Sequence, residues 1–411
     1  MDSIFKLRPC LLVLLTLVAL PAGAALTAAP YVPDNDQAVL ERLAGTGETQ
    51  AGLRQLRAMH AELVTQPDDL NLALRFARHA ISLGRQEADP RYFGYAEFAL
   101  RPWLRRGDAP ADIVLIRATL RQQRHEFGAA LGDLNELIAA DSGNAQARLT
   151  RAVVLMVQGQ PQQALHDCTA LIGYASLLVA TTCVAQSRSL TGHNDAAQSA
   201  MSAMLNTGSA RATVAAEVVW ALTAAAEIAQ RNLAPEAAET WFKTALRLMN
   251  ASATDDPYLL TAYADFLLSR NRAAEVPSLL AEHESIDNVL LRLAFAESAL
   301  GETEALDRHL EMLQARFDAT RARGDTVHLR EEAMFELRLR EDLETALKLA
   351  QRNWKTQREP VDARLLMECA LAADQAEAAR PALDWMQRTG IQDPDLLTLA
   401  NRLVEAGAAE E

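Results

Sequence analysis

The chain has 411 residues, half of them hydrophobic, and a formal net charge of −14. This length and hydrophobic content suffice to bury a large core. The acidic charge argues against nucleic-acid binding, because a basic surface supplies most of the affinity for a phosphate backbone. Aromatic residues make up only 5% of the chain, which favours closely packed helices over a β-sandwich.

Residues 1–24 have the features of a secretory signal peptide. Two basic residues precede an apolar run at 10–20, and the small residues Ala22 and Ala24 follow it. A positive start, a short apolar centre and a small-residue site predict cleavage after Ala24. An uncleaved membrane anchor would need about 20 apolar residues, more than this run provides. We therefore expect export to the periplasm or the extracellular space, a flexible segment at 25–36, and no membrane span in the mature chain.

One stretch of the chain is repeated at an offset of 34 residues, first at 117–141 and again at 151–175. The identical aligned pairs are Arg117/Arg151, Ala118/Ala152, Ala130/Ala164, Leu131/Leu165, Asp133/Asp167, Leu137/Leu171 and Ile138/Ile172. In each copy a small residue lets a second helix approach closely, and the later apolar residues continue one helical stripe. The sequence thus predicts a helix–turn–helix unit that is written twice.

Further copies of this small and apolar pattern occur on both sides. They are Ala96, Leu100 and Trp103; Ala197, Met201 and Met204; and Ala226, Ala238, Phe242 and Ala245. The pattern resembles the tetratricopeptide repeat (TPR), a helix–turn–helix unit of 34 residues. With the signal peptide, the resemblance is to TPR proteins of the exported bacterial type. It is clearest over 67–250 and degenerate over 251–411, and the family's first-helix tryptophan, leucine-glycine and tyrosine are mostly missing.

The segments between turn signals have helical periodicity and no alternating strand pattern. We therefore predict an all-α fold for 37–411, an α-solenoid of about eight stacked TPR-like hairpins that ends in a capping helix at 395–406. Three prolines, Pro102, Pro277 and Pro381, fall inside apparent second helices. A proline at such a place must begin the helix or kink it.

The sequence contains no complete catalytic or cofactor motif. Neither His125 nor His283, each followed by a glutamate, has a second histidine at the zinc-protease spacing. The adjacent His166, Asp167 and Cys168 are good ligand types, but three consecutive helical residues point in different directions. We therefore predict no enzyme activity, no metal site and no cofactor.

Signal cleavage leaves three cysteines, Cys168, Cys183 and Cys369. Export places them where disulfides persist. Cys168 lies on a predicted second helix and Cys183 on the next first helix, with a turn near 173–176 between them, so antiparallel helices bring both to a similar height. They are a candidate disulfide; the alternative is that both are small core residues. Cys369 has no evident partner and is expected to be a buried thiol.

The TPR resemblance implies where a ligand would bind. Stacked pairs bury one continuous core, and the first helices line a concave wall. In the family's geometry, the residues three before, one after and four after each small packing residue face this wall. Counting from Ala118, Ala152, Ala185 and Ala226, and adding Trp220 because it lies on a first helix, gives the candidate groove residues. They are Leu115, Thr119, Gln122, Leu149, Val153, Met156, Thr182, Gln186, Ser189, Trp220, Thr223, Glu227 and Gln230.

This candidate lining is neutral and partly apolar, without the cluster of lysine and arginine that some family members use to hold a peptide's terminal carboxylates. We expect a ligand held by apolar side chains and by amide or hydroxyl hydrogen bonds. Such binding should depend weakly on salt. An alternative for Leu149, Val153 and Met156 is that they are buried between repeats.

These features together predict a non-catalytic exported scaffold that binds a protein or peptide partner through its concave groove, in envelope or secretion-complex assembly. The alternative is an accessory protein for a transporter or enzyme that delivers a metal or cofactor. That alternative alone predicts a bound metal or cofactor on the purified protein. The sequence specifies neither the partner's identity nor the oligomeric state.

Overall fold

The computed structural model describes most of the chain as one compact unit, Gly47–Glu411. The described ranges are 47–105, 108–206, 214–252 and 255–410. The expected signal peptide at 1–24 and the segment at 25–36 lie outside them. No helix in the described part is long and apolar enough to cross a bilayer.

Twenty α-helices and no strand occur in these ranges. The helices are α1 (Gly47–Thr65), α2 (Leu70–Gln86), α3 (Arg91–Leu104), α4 (Ala111–Gln123), α5 (Phe127–Ala140), α6 (Ala145–Val157), α7 (Pro161–Ala170), α8 (Leu177–Ser189), α9 (Asn194–Asn206), α10 (Ala215–Arg231), α11 (Pro235–Ser252), α12 (Pro257–Ser269), α13 (Val276–Leu280), α14 (Asp287–Leu300), α15 (Thr303–Ala322), α16 (Leu329–Phe335), α17 (Leu343–Trp354), α18 (Pro360–Ala372), α19 (Arg380–Thr389) and α20 (Pro394–Glu410).

Consecutive helices pack as hairpins from α2/α3 through α18/α19. In each pair we call the earlier helix the first helix and the later one the second helix. Helix α1 packs against α2, and α20 packs against α18 at the other end. The predicted all-α hairpin solenoid is therefore confirmed. It has nine hairpins in the described ranges, where about eight were expected, and α20 is the expected terminal helix.

The repeat in the sequence corresponds to a repeat in the packing. Helices α4 and α6 begin 34 residues apart, as do α5 and α7. The aligned alanines Ala118, Ala152, Ala130 and Ala164 are each fully buried. Because alanine adds almost no side-chain volume, the two helices of each hairpin approach closely at these positions.

The repeated arginine and aspartate form an ion pair inside each hairpin, in which the aspartate is buried and the arginine is partly buried. In both copies, one aspartate of the second helix accepts hydrogen bonds from two arginines of the first helix. The pairs are Arg117 and Arg121 with Asp133, and Arg148 and Arg151 with Asp167, at 2.6–3.0 Å. The aspartates are only 5% and 2% exposed, respectively. These bonds tie the two helices of a hairpin together at one height.

Contacts between hairpins fix the direction of curvature. Each first helix from α2 to α18 packs against the first helix of the next pair, and α18 packs against α20. Successive second helices show no packing of similar extent within the described ranges. The first helices are therefore crowded and form the inner layer of the solenoid, while the second helices spread apart on the outside.

Two of the three prolines lie at the start of a helix. Pro277 and Pro381 are the second residues of α13 and α19. A missing N–H is tolerated there, because the first turn has no intrahelical acceptor for it. Pro102 lies inside the last turn of α3.

Candidate functional site

The thirteen candidate groove residues divide into two groups by exposure. Nine keep part of their surface accessible: Leu115, Thr119, Gln122, Leu149, Val153, Gln186, Trp220, Glu227 and Gln230. The other four, Met156, Thr182, Ser189 and Thr223, are buried. The expectation that all thirteen face an open groove needs correction for these four.

Thr182 and Thr223 are buried because each hydroxyl has a partner within its own helix. The Thr182 hydroxyl donates to the carbonyl of Leu178 at 2.8 Å, and that of Thr223 donates to Val219 at 2.9 Å. A threonine that bonds four residues back can sit in the core without an unsatisfied polar atom. Neither side chain is available to a ligand.

Ser189 and Met156 belong to contacts between hairpins. The Ser189 hydroxyl donates to the Asn194 side chain at 2.7 Å and accepts from Arg231 Nε at 2.9 Å. The Met156 sulfur accepts from the Ser187 hydroxyl at 3.5 Å. For Met156, burial between repeats is what the structure shows.

Leu149 and Val153 have an intermediate position. Both pack against the hydrophobic core that includes Ala152 and Leu155, and Trp220 packs against the same core. Each keeps part of its side chain accessible. These three residues thus support the repeat and also add apolar area to its inner face.

The polar accessible candidates lie on three of the first helices. Thr119 and Gln122 are on α4, Gln186 is on α8, and Glu227 and Gln230 are on α10. Together with Leu115, Leu149, Val153 and Trp220 we call them the inner surface. The Thr119 hydroxyl donates to the carbonyl of Leu115 at 3.0 Å, within its own helix. The surface offers amide groups and apolar area, which bind a peptide in either an extended or a helical form.

A tyrosine from the next first helix borders the inner surface. The Tyr258 hydroxyl on α12 donates to the Glu227 carboxylate. Tyr258 is 57% exposed, yet desolvation by the surrounding protein raises its pKa well above the usual value. Desolvation also raises the pKa of Glu227. The hydrogen bond between Tyr258 and Glu227 links α12 to α10 beside the inner surface.

Charged residues of the C-terminal hairpins form an ion-pair cluster that the sequence did not identify. Arg330 on α16 donates to Asp362 at 2.6 and 2.9 Å and to Glu359 at 2.7 Å. The Glu359 charge contributes to raising the pKa of both Glu227 and Tyr258. The degenerate repeats lack the small packing residues from which the groove positions were counted. In the sequence, the only signal for these three residues is their opposite charges.

His125 lies at the turn between α4 and α5, with a positive φ of 58°. Its ring stacks on Phe127 with centroids 5.2 Å apart. Desolvation by burial, and after it the Arg330 charge, lower the pKa of His125 to about 4. The histidine is therefore neutral at pH 7.

We expect the His125 environment to make the fold sensitive to acid. The folded-state pKa lies below the ordinary value of 6.5, so the unfolded chain takes up the proton first as the pH falls. The contribution of His125 to stability is complete above pH 6.5 and is lost between pH 6.5 and about 4. Denaturant unfolding at several pH values should show a shallower loss over this range in His125→Asn than in the wild type. Asparagine tolerates the left-handed backbone, so equal slopes would contradict the assignment.

The cysteines are placed on adjacent helices. The sulfur atoms of Cys168 on α7 and Cys183 on α8 lie 1.99 Å apart, with Cα atoms separated by 5.2 Å. Cys369 is buried, and desolvation raises the pKa of its thiol to about 12. A thiol with such a pKa is a poor nucleophile at neutral pH.

Asp167 and His166 are the two potential metal ligands next to Cys168. Asp167 is held by two arginines, and His166 is exposed on α7. Across the described ranges, no group of three or more histidine, cysteine, aspartate or glutamate side chains is arranged to hold a metal ion.

No protein-family model and no curated protein matches the sequence. Solved structures that match include the TPR domain of P58(IPK), at 15% identity and a TM-score of 0.24, covering 89% of this chain and 99% of that one. Yeast Tom70 matches at 10% identity and a TM-score of 0.23, covering 88% of this chain and 96% of that one. Similarity at this level does not assign a function, and the fold is established by the chain's own helix pairs.

Proposed function

We propose that this chain is a non-catalytic, exported repeat scaffold of the TPR type that binds a protein or peptide partner through its inner surface. The sequence features of residues 1–24 support export, and the partner would belong to envelope or secretion-complex assembly in a periplasm. The observation that carries the proposal is the packing of successive first helices into one layer with accessible side chains. A solenoid of stacked hairpins presents such a layer as an extended binding surface.

The chemistry of the inner surface favours a ligand bound by hydrogen bonds and apolar contacts. Gln186 and Gln230 each present an amide that can donate to and accept from a peptide backbone. The nearby charged groups are engaged within the chain, Arg330 by Glu359 and Asp362, and Glu227 by Tyr258. Few charges remain for a ligand, so we expect its affinity to change little with salt.

Replacing both Gln186 and Gln230 with alanine should weaken peptide binding without unfolding the protein. Both side chains are half-buried on first helices, and alanine is the best helix former. The loss of two hydrogen bonds costs about 2 kcal/mol, or roughly thirtyfold in Kd. Peptides selected from a displayed library on residues 25–411 serve as probes, and fluorescence anisotropy measures their Kd at low and high salt.

The matched control replaces two exposed glutamines of second helices, Gln163 on α7 and Gln351 on α17, with alanine. These outer substitutions should leave the Kd unchanged. If the inner and outer double variants bind equally well, the partner binds elsewhere on the solenoid. If library selection recovers no peptide while elemental analysis or an absorbance scan finds a bound metal or cofactor, the scaffold proposal fails in favour of an accessory role.

A further inference from the structure

The turn between α6 and α7 contacts residues that lie about 200 positions further along the chain. All the acceptors in this contact are backbone carbonyls. The bonds are Arg358 N to Val157 O at 2.8 Å, Trp385 Nε1 to Gly159 O at 3.2 Å, and Gln162 Nε2 to Arg388 O and Thr389 O at 3.4 and 3.2 Å. The hairpin α6/α7 is therefore joined to α19 and to the turn before α18.

The next turn, between α8 and α9, makes a second contact of the same kind. Asn194 Nδ2 donates to the carbonyl of Gln392 at 2.6 Å. The backbones approach so closely at Gly192 that a Cβ there would lie 2.4 Å from the carbonyl oxygen of Gly390. Leu190 packs against two hydrophobic cores. The C-terminal core includes Trp385 and Ile391, and the α6–α8 core includes Ala152 and Cys183.

These contacts show that the solenoid meets itself. Two successive turns of first-to-second-helix type, after α6 and α8, thus run along the C-terminal hairpins. Each of these turns ends a first helix that carries inner-surface residues, so the C-terminal hairpins border one edge of the inner surface.

The contact differs from the packing between neighbouring hairpins. Neighbouring hairpins share continuous apolar cores, whereas the buried residues of the C-terminal core and of the α6–α8 core form separate clusters. Hydrogen bonds to backbone carbonyls, with Leu190 between the clusters, hold the two sides together. Each such bond contributes only about 0.5–1.5 kcal/mol net, because water satisfies the same donors and acceptors when the contact opens.

We propose that this contact is a releasable latch, formed by residues 157–162 and 190–194 on one side and by Arg358 and 385–392 on the other. When the latch is closed, the C-terminal hairpins enclose the inner surface along that edge. When it opens, a partner segment gains access to the first helices α6, α8 and α10. This inference rests on the proposed function and adds a means of regulating the same surface.

Glycine substitutions test the latch with matched controls. In Gly159→Ala and Gly192→Ala, the added methyl meets Trp385 Nε1 at 2.6 Å and Gly390 O at 2.4 Å, respectively. Gly301→Ala and Gly173→Ala impose the same kind of backbone strain, because φ is positive at all four glycines, but their methyl groups meet nothing within 4 Å. A difference between the two sets therefore reports the contact and not the strain.

Two measurements on residues 25–411 read out the opening. Small-angle X-ray scattering should show a larger maximum dimension for the latch variants than for the controls. A Gln186→Cys probe in each background should react with a bulky polymer-linked maleimide at least tenfold faster in the latch variants. Small maleimides should react at similar rates in both sets, since Gln186 is partly accessible in the closed form.

A covalent lock tests the opposite direction and does not depend on a destabilising change. Gln162 and Arg388 are both exposed, and their contact crosses the latch. Oxidising Gln162→Cys and Arg388→Cys to a disulfide leaves the Gln186→Cys thiol free. Bulky labelling of residue 186, read by peptide mass spectrometry, should then be at least tenfold slower than in the unbridged chain. Identical labelling in bridged, unbridged, latch-variant and control proteins would overturn the latch.

The outcome separates the latch from the proposed function. Scattering and labelling require no partner, so they can succeed even if no peptide binds. If the peptides bind with unchanged affinity and rate to the locked chain, the inner surface is a binding site without a latch. If the latch opens as expected but no peptide binds in any state, the proposed function fails while the conformational inference stands.

Discussion

Asp167→Asn is expected to lower the free energy of unfolding by about 3 kcal/mol, because removing one partner of a buried ion pair leaves uncompensated charge. Asp167 is 2% exposed and accepts hydrogen bonds from both Arg148 and Arg151. Asparagine keeps the shape but removes the charge, so two guanidinium groups would share one neutral acceptor. Denaturant unfolding followed by circular dichroism measures the change.

Two controls define what this result means. Asp133→Asn, at the position one repeat earlier, should give a loss of similar size, since Asp133 also bonds two arginines. Glu344→Gln removes the exposed partner of Lys348 and should cost no more than about 1 kcal/mol. A loss at Asp167 as small as that at Glu344 would show that the buried aspartates do not hold their hairpins together.

Removing the bond between Cys168 and Cys183 is expected to cost about 3 kcal/mol. The bond closes a loop with a sequence separation of 15. In the chain-entropy model, closing a loop of this length lowers the entropy of the unfolded chain, and the loss is equivalent to about 3 kcal/mol. Unfolding of the double variant Cys168→Ala, Cys183→Ala, compared with the wild type, measures the loss. Both proteins must be exported, because the bond needs an oxidising compartment.

Two internal checks accompany this experiment. Thiol counting on the unfolded, unreduced wild type should find one free thiol, Cys369. A reductant should lower the stability of the wild type toward that of the variant and leave the variant unchanged. Three free thiols in the exported wild type would show that Cys168 and Cys183 are packing residues only.

Sequence alone determined the repeating unit, because a hairpin's packing is local. Ala118 and Ala152 fall where two helices must approach within one hairpin, and the fully buried alanines show that they do. The 34-residue period sets the helix starts of α4 to α7 for the same reason. In the degenerate repeats the landmarks are lost, so the total came out as about eight hairpins rather than the nine observed in the described part.

Tertiary structure alone decided which first-helix residues reach the inner surface. Counting from Ala185 treats Thr182, Gln186 and Ser189 alike, yet Thr182 and Ser189 are buried and Gln186 is partly accessible. For Ser189 the difference comes from a partner in another helix, Arg231, which no local pattern encodes.

The sequence also did not predict that the solenoid contacts itself. The period of the repeat specifies how one hairpin packs on the next, and the small rotation between hairpins accumulates over the whole stack. Whether distant hairpins meet depends on that sum and on the few side chains at the meeting point, here Gln162, Asn194 and Trp385. Local periodicity therefore determined the unit and its class of fold, and only the assembled stack decided which surfaces remain open to a partner.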